Sequence, residues 1–235
     1  MEKPIYPMRI NKYLALKKHS TRRGADELIT KKQVFINGRL AVLGDKVNEN
    51  DAVDVRFRGK QVPYIYMAYN KPKGIVTHSA DEGQKEIKNV VAIKDIFPIG
   101  RLDKDSHGLI ILTNDGRITE RLLGPEYVHE KEYLVKTKNK LRSSFKDKME
   151  AGVKIGTEKT KKCKVQIIND QTFKIILTEG KKHQIRRMCD ALFQEVDDLK
   201  RIRIMNIELG KLPIGAHREI KGEELQKFLH SLELP

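Results

Sequence analysis

The chain has 235 residues and a formal net charge of +15 at pH 7. This length allows one large or two small domains with a sizeable core, and the charge indicates a polyanionic partner. The N-terminus has no apolar signal segment, and no apolar run approaches the ~20 residues of a membrane helix, so we expect a soluble, cytoplasmic protein that does not bind membranes.

The two cysteines and seven histidines are scattered along the chain. Cys163 and Cys189 lie far apart and neither belongs to a Cys-x-x-Cys pair, while the histidines lack metal-ligand spacing. We therefore predict neither a disulfide framework nor a bound metal, and we expect Cys189 to be a small buried hydrophobe.

Residues 8–55 have the pattern of a compact unit made of two helices followed by small strands. Leu14 and Leu16 belong to the apolar face of the first predicted helix. The apolar run 34–36 leads into Asn37-Gly38, which is the strongest short-range signal for a hairpin turn.

Basic side chains crowd the two predicted helices. Met1–Pro63 carries 14 Lys and Arg against 7 Asp and Glu, which gives +7, whereas Tyr64–Pro235 carries 33 against 25, which gives +8. The net positive charge per residue is therefore about twice as high in the first quarter. A charge run can be a solvated helix face or an RNA-docking surface. The candidate RNA contacts are Arg9, Lys12, Lys17, Lys18, Arg22 and Arg23.

Three local sequences in this quarter are Arg-Ile-x-Lys-Tyr-Leu, Ser-Thr-Arg-Arg and Val-Phe-Ile-Asn-Gly-Arg. Together they resemble the S4 RNA-binding domain. The resemblance implies that the six cations dock RNA through its phosphates, which positions a protein without reading sequence. We place this domain at residues 1–58, a polar linker containing Gly and Pro at 59–63, and a second domain at 64–235.

The second domain begins with a β-rich run over 64–69. It continues into a predicted turn, 70–74, that holds Lys71 and Lys73. These two lysines are either exposed turn residues or phosphate contacts. The polar residues 79–89 then predict a mobile loop.

Residues 100–116 combine a charged, turn-forming first half with the apolar run Leu109–Leu112, which predicts a short buried strand. One interpretation of Arg101 and Asp103 is a solvated loop with a surface ion pair worth roughly 0 to 1 kcal/mol. The whole string, Gly-Arg-Leu-Asp, Ser-x-Gly-Leu, the apolar run and Thr-Asn-Asp-Gly, resembles the catalytic motif of the RsuA/RluB/RluE/RluF pseudouridine synthases. That resemblance implies that Asp103 is the catalytic residue.

Lys-Glu-Tyr-Leu-Val lies on a predicted strand over 129–136, where a tyrosine ordinarily belongs to the core. The segment resembles the one in which the same family carries a base-stacking tyrosine. The resemblance therefore implies that Tyr133 stacks on the target base.

Residues 183–193 predict a helix with a buried stripe at i, i+3, i+4 and i+7. Arg186 and Arg187 lie near its N-terminal end, where the helix dipole disfavours cations, so they indicate a nearby anion. Gln-Ile-Arg-Arg-Met resembles the family segment that supplies an arginine to pair with the catalytic aspartate and an aliphatic residue against the base. The implied residues are Arg186 and Ile185, although either arginine could make the pair.

Residues 199–209 alternate like a strand with three cations in its early part, and 222–232 predict a small amphipathic helix. Strands interspersed with few helices imply an α+β fold with a mixed, mainly antiparallel sheet after the S4-like domain. The family resemblance implies the same architecture.

Pseudouridylation breaks the N1–C1′ bond of a uridine, turns the base and rejoins it through C5, which requires the base to leave the helix. The resemblance assigns Asp103 as nucleophile or base, Arg101 and Arg186 to hold it ionised, Tyr133 to stack under the base and Ile185 to the pocket wall. No cofactor is implied, because the isomerisation is redox-neutral.

The segments 129–133, 161–165 and 203–207 resemble the synthase F branch of that family, which implies a stem-loop uridine in 23S rRNA or in a precursor ribosomal particle. We expect a monomer. A 16S rRNA target is the runner-up, and a tRNA substrate remains open. Two other classes of function are possible from the sequence. One is an RNA-binding assembly factor without catalysis, and the other is a hydrolase that uses Asp103 and Asp105 as its carboxylate pair.

Overall fold

The computed structural model describes residues 5–17, 19–20, 22–56, 63–79, 81–93, 95–124 and 126–234. The chain forms two compact units, the first made of Met1–Tyr64 with Asp115–Glu120 and the second of Ile65–Asn114 with Arg121–Pro235. The predicted linker at 59–63 lies outside the described residues except for Pro63.

Among its described residues up to Val55, the first unit packs two helices and five short strands around a small core. The three-stranded sheet has the order β3-β2-β5 and β1 pairs with β4, all antiparallel. Their bounds are β1 (Met8–Arg9), α1 (Ile10–Leu16), α2 (Arg22–Thr30), β2 (Val34–Ile36), β3 (Arg39–Leu40), β4 (Lys46–Val47) and β5 (Val53–Val55).

The predicted hairpin is confirmed, because Asn37 and Gly38 both have positive φ angles, 50° and 80°, between β2 and β3. The position of Leu16 on the apolar face of α1 was predicted wrongly. Leu14 is fully buried, but Leu16 is 51 % exposed. Two residues correspond to about 200° around a helix, so the two side chains point to opposite sides.

From residue 66 onward the chain alternates strands with short helices. The bounds are β6 (Tyr66–Lys71), α3 (Ile87–Val90), β7 (Phe97–Ile99), β8 (His107–Thr113), α4 (Arg117–Leu123), β9 (Lys131–Thr137), α5 (Phe145–Glu150), β10 (Lys154–Ile155), β11 (Glu158–Lys159), β12 (Lys164–Asn169), β13 (Thr172–Leu177), α6 (Gln184–Ala191), β14 (Val196–Ile204), β15 (Ile207–Glu208), β16 (His217–Glu219) and α7 (Gly222–Ser231).

A nine-stranded sheet organises the second unit. Its order is β12-β13-β9-β14-β8-β6-β16, with β15 added to β14 and β7 to β8. The β14–β8 junction is parallel, whereas the other pairs recorded in this sheet are antiparallel. The mixed, mainly antiparallel α+β fold is therefore confirmed.

Three local predictions for this unit were wrong. β6 continues through Asn70 and Lys71, which were expected in a turn. The expected strand over 199–209 is broken by a turn in which Met205 has a φ of 51°, so it becomes the hairpin β14–β15. The expected loop over 79–89 includes the start of α3, which is held by the buried side chain of Ile87.

Helix α6 packs its apolar stripe into a core that also contains residues of β9, β12, β13 and β14. Ile185, Met188 and Cys189 are buried there and Leu192 is partly buried, as the helical spacing predicted. Burial raises the pKa of the Cys189 thiol to about 12, so the expectation of a small buried hydrophobe is confirmed.

None of the described helices combines the length and the apolarity needed to cross a membrane. Within the same described ranges, no three His, Cys, Asp or Glu side chains lie close enough together to hold a metal ion.

Candidate active site

The segment that carries Asp103 connects β7 to β8, and we call residues 101–106 the Asp103 loop. β8 pairs with β6 on one side and β14 on the other, and its residues Leu109–Leu112 are fully buried. The loop is therefore attached to a strand that is buried at every position after His107. A polar loop on such a base can hold a reactive side chain rigidly at a surface.

Every backbone carbonyl of the loop from Arg101 to Asp105 accepts a hydrogen bond. The donors, in chain order of their acceptors, are Arg201 Nη1 (3.3 Å), Thr77 Oγ1 (2.8 Å), Ser106 N (3.1 Å), Gly74 N (2.8 Å) and Arg186 Nη2 (3.2 Å). These donors come from three separate segments of the second unit, which contain Gly74 with Thr77, Arg186 and Arg201, and from the loop itself. The backbone of the loop is thus fixed by the rest of the unit.

The carboxylate of Asp103 remains accessible within this fixed backbone. Its side chain is 34 % exposed, and its Oδ2 lies 3.5 Å from Nδ1 of His183. His183 occupies the N-cap of α6 in the left-handed conformation, with φ 51° and ψ 31°. That strained position brings the imidazole beside Asp103.

The arginines predicted to hold Asp103 contact other groups. Arg186 donates to the carbonyls of Asp105 (3.2 Å) and Val196 (3.4 Å), and Arg187 donates to the carbonyl of Ile155 (3.1 Å). Among the described residues, neither arginine forms an ion pair with Asp103. Arg186 therefore reaches the loop through its backbone. The side chain of Arg101 is exposed.

Lys71 is fully buried, which contradicts its prediction as an exposed turn residue or phosphate contact. It lies at the end of β6 and its Nζ donates to the carbonyls of Pro72 (3.0 Å) and Ile75 (2.7 Å). Burial lowers the pKa of Lys71 to about 8, opposed by the charge of Asp103 and reinforced by that of Arg201. A phosphate could not reach this ammonium group, because the protein covers it.

Lys73 is half-exposed and forms an ion pair with Asp198, which also lies 2.9 Å from Nε2 of His107. Burial alone would raise the pKa of Asp198, but the hydrogen bonds from Lys73 and His107 outweigh it and lower that pKa. Together these three side chains connect the turn after β6 to the first residue of β8 and to β14. A phosphate contact by Lys73 stays a prediction, and it would have to compete with Asp198.

Tyr133 lies on β9 directly opposite Arg201 on β14, and Arg201 lies opposite Gly108 on β8. Residues directly opposite each other share a face of a sheet, so Tyr133 and Arg201 belong to the same row. Tyr133 is partly buried against the core. Ile185 is buried in that core. Its role as a wall of the uridine pocket stays a prediction.

The basic face predicted to dock RNA belongs to the first unit. Arg9, Lys12, Lys17 and Arg22 are exposed, and the ion pairs recorded for the described residues include none of these four. Lys18 and the side chain of Arg23 lie outside what the structure describes. The exposed positions suit either a solvated face or RNA docking.

Two residues of the site were missed at the sequence level. His183 was predicted as the first residue of a helix, and nothing in its immediate sequence marks a left-handed residue beside an aspartate. Arg201 was counted among three cations of an alternating strand, where a cation is ordinarily solvated. The central position of β14, which the sequence does not reveal, encloses it.

Residues 65–191 match the family described as RNA pseudouridylate synthase, and residues 8–53 match the S4 domain. The chain belongs to the RNA pseudouridylate synthase family. The Asp103 loop, Tyr133 and the whole of α6 fall inside the matched range. The synthase is therefore an RNA-modifying isomerase with an S4 domain, as the sequence motifs implied.

The synthase is 41% identical over 235 residues to the dual-specificity RNA pseudouridine synthase RluF of Escherichia coli K12, covering 98% of this chain and 81% of that protein. It is 34% identical to the ribosomal large subunit pseudouridine synthase B of Bacillus subtilis, covering 94% and 95%. A crystal structure of a pseudouridylate synthase matches with a TM-score of 0.69 at 26% identity, covering 96% of this chain and 99% of that one.

Proposed function

We propose that this synthase converts one uridine in a stem-loop of 23S rRNA into pseudouridine, with Asp103 as its catalytic residue. The observation that carries the proposal is the Asp103 loop, in which every carbonyl from residue 101 to 105 is hydrogen-bonded while the Asp103 carboxylate stays accessible. A reactive group held in this way needs little reorganisation when the substrate arrives.

In this proposal the target uridine is flipped out of its helix and placed over the Asp103 loop. The carboxylate acts as nucleophile at the sugar or as base, Tyr133 stacks under the base, and Ile185 closes the pocket. Arg101 and Arg186 hold the carboxylate once RNA is bound. Arg186 is already positioned for this role, because its guanidinium touches the backbone two residues further along the loop.

We place RNA docking in residues 1–58 and catalysis in residues 64–235. The exposed cations of α1 and α2 would grip the phosphate backbone beside the target, and a grip of this kind helps to offset the few kcal/mol that base flipping costs. We propose that the synthase works as a cytoplasmic monomer on rRNA or on a precursor ribosomal particle, and that it needs no cofactor.

The first experiment is release of tritium from rRNA labelled at uridine C5, measured for the wild type, Asp103→Asn and Asp105→Asn. Asp105 is the matched control, because it is an exposed carboxylate two residues further along the same loop. We expect release by the wild type and by Asp105→Asn but not by Asp103→Asn.

Other outcomes of that assay select other functions. Release by Asp103→Asn at the wild-type rate would remove Asp103 from the chemistry. Free uracil in place of modified RNA would indicate a hydrolase. No release by the wild type on naked 23S rRNA, 16S rRNA or precursor particles would favour an RNA-binding protein without catalysis.

The target requires a separate measurement, which is a chemical map of pseudouridines in cells that lack the gene. We expect one 23S site to lose its modification. A map with every 23S site intact and one 16S site lost would favour the small-subunit alternative. Because the RluF relatives are named dual-specificity synthases, the tRNA fraction belongs in the same map.

A further inference from the structure

Arg201 is a buried guanidinium whose hydrogen bonds go to the first residue of the Asp103 loop and to the strand that follows the loop. It is 4 % exposed. Its Nε donates to the carbonyl of Leu109 at 2.7 Å, and its Nη1 donates to the carbonyl of Arg101 at 3.3 Å. One side chain therefore bridges the residue that opens the loop and a residue of the strand that follows it.

The backbone of Arg201 supports the same connection. Arg201 pairs with Gly108 where β14 meets β8 in parallel, and the two chains approach so closely that a Cβ on Gly108 would lie 2.3 Å from the carbonyl oxygen of Arg201. The strand that continues from the loop is thus held against β14 at the residue whose side chain also holds the loop.

Stability alone does not explain a buried arginine at this position. None of the ion pairs recorded for the described residues includes Arg201, and its Nη2 is buried with no hydrogen-bond partner among them. Burying a guanidinium without a counter-charge costs free energy that an apolar side chain would not cost. What the structure shows in return for this cost is two hydrogen bonds, one to the Asp103 loop and one to the strand after it.

We propose that Arg201 is a positioning residue for the isomerisation, which fixes the Asp103 loop from the interior of the sheet and does not touch RNA. The inference rests on the proposed role of Asp103. It implies that Arg201 controls the rate of the chemical step while leaving RNA affinity unchanged, because its guanidinium is enclosed and can reach the substrate only through the loop.

The test compares Arg201→Met, Arg201→Lys and the control Arg203→Met in single-turnover tritium release at saturating enzyme. Arg203 lies on the same strand and binds Glu130 and Glu132 of the segment around β9, with no recorded hydrogen bond to the Asp103 loop. We expect a rate loss of about 100-fold for Arg201→Met, since displacement of a reacting group by 1 Å can cost that much. The rate of Arg201→Lys should be about tenfold higher than that of Arg201→Met. The rate of Arg203→Met should stay within about threefold of the wild-type rate.

RNA affinity and loop protection separate this role from a loss of folding. The dissociation constant for RNA should be the same in all four proteins. Hydrogen exchange of the loop amides, measured without RNA, should be faster in Arg201→Met than in Arg203→Met. Loop protection equal to the control, or a rate within about threefold of it, would overturn the proposal. An inactive wild type with loop protection lost only in the Arg201 variants would contradict the proposed function and leave supported only the part of this proposal in which Arg201 fixes the Asp103 loop.

Discussion

At the scale of single residues, the buried ammonium group of Lys71 gives stability a dependence on pH. The pKa of this group is about 8 in the folded chain, against an ordinary value of 10.5. Between these values the unfolded chain holds the proton and the folded chain does not, so the contribution of Lys71 to the free energy of unfolding rises as the pH rises from about 8 to 10.5. The full rise is about 3 kcal/mol.

Replacing Lys71 by Met should abolish this component. Urea unfolding at about pH 7.5 and pH 10 measures it as the difference between wild type and Lys71→Met. Lys211→Met removes an exposed lysine and should follow the wild type. If the wild type and Lys71→Met show the same change with pH, the ammonium is not enclosed in the way that the structure shows.

Whether a sequence prediction held for a side chain depended on how local its cause was. The burial of Cys189 follows from its place in the helical stripe of α6, so spacing alone predicted it. Lys71 stands before Pro72 and three residues before Gly74, which are turn signals, yet it pairs with Gly108 of β8 and is fully buried. Nothing close to Lys71 in sequence reports that enclosure.

At the scale of elements, the parallel junction of β14 with β8 depends on Gly108. This residue has a φ of 107°, and an added Cβ would lie 2.3 Å from the carbonyl oxygen of Arg201. Gly108→Ala should therefore lower the free energy of unfolding by on the order of 3 kcal/mol, through backbone strain and overpacking together. Urea unfolding checks this value.

The matched control is Gly210→Ala. Gly210 also has a positive φ, 56°, but a Cβ there would meet no atom within 4 Å. It should lose only the strain of the left-handed conformation, about 1 kcal/mol. Equal losses in the two variants would show that the close approach of β14 to β8 contributes nothing.

The basic face of the first unit, at and beside helices α1 and α2, carries the second prediction at this scale. Replacing Arg9, Lys12, Lys17 and Arg22 by Gln should weaken RNA binding. The log–log slope of affinity against salt should become shallower by roughly 0.7 to 0.9 for each phosphate that is no longer neutralised. Filter binding over a salt series measures the slope, and the single-turnover rate at saturating RNA should not change.

Lys31→Gln is the control for that experiment. It removes a cation close to the end of α2, but Lys31 is paired with Glu27, so the local charge was already balanced. An unchanged salt slope in the fourfold variant would show that the basic face is only solvated.

The elements themselves were predictable where a pattern is local. Leu109–Leu112 is a continuous apolar run and forms most of β8, and Asn37-Gly38 forms the turn between β2 and β3. By contrast, β16 pairs with β6, although most of the sequence of the second unit lies between the two strands. Its three residues, His217–Glu219, have no strand pattern of their own, because the pairing depends on a partner distant in sequence.

At the scale of the whole molecule, charge and chemistry are divided between two parts of the chain. Positive charge is densest in the first quarter, which matches the S4 domain, whereas the candidate site lies in the range that matches the synthase family. The resemblance of short motifs was sufficient to predict this division. It could not predict the contacts of the Asp103 loop, since His183 and Arg201, which reach the loop, lie far from it in sequence.

The backbone carbonyls from Arg101 to Asp105 already accept hydrogen bonds from the protein, so any change in the shape of this backbone on RNA binding would have to break existing contacts. We expect the enzyme to behave as a rigid template and the nucleic acid to undergo the rearrangement. Selection among uridines would then follow the ease with which each one leaves its stack, since mismatched or unpaired bases flip at least cost. The ease with which the RNA deforms locally, more than the nucleotide sequence around the site, would decide which uridine is modified.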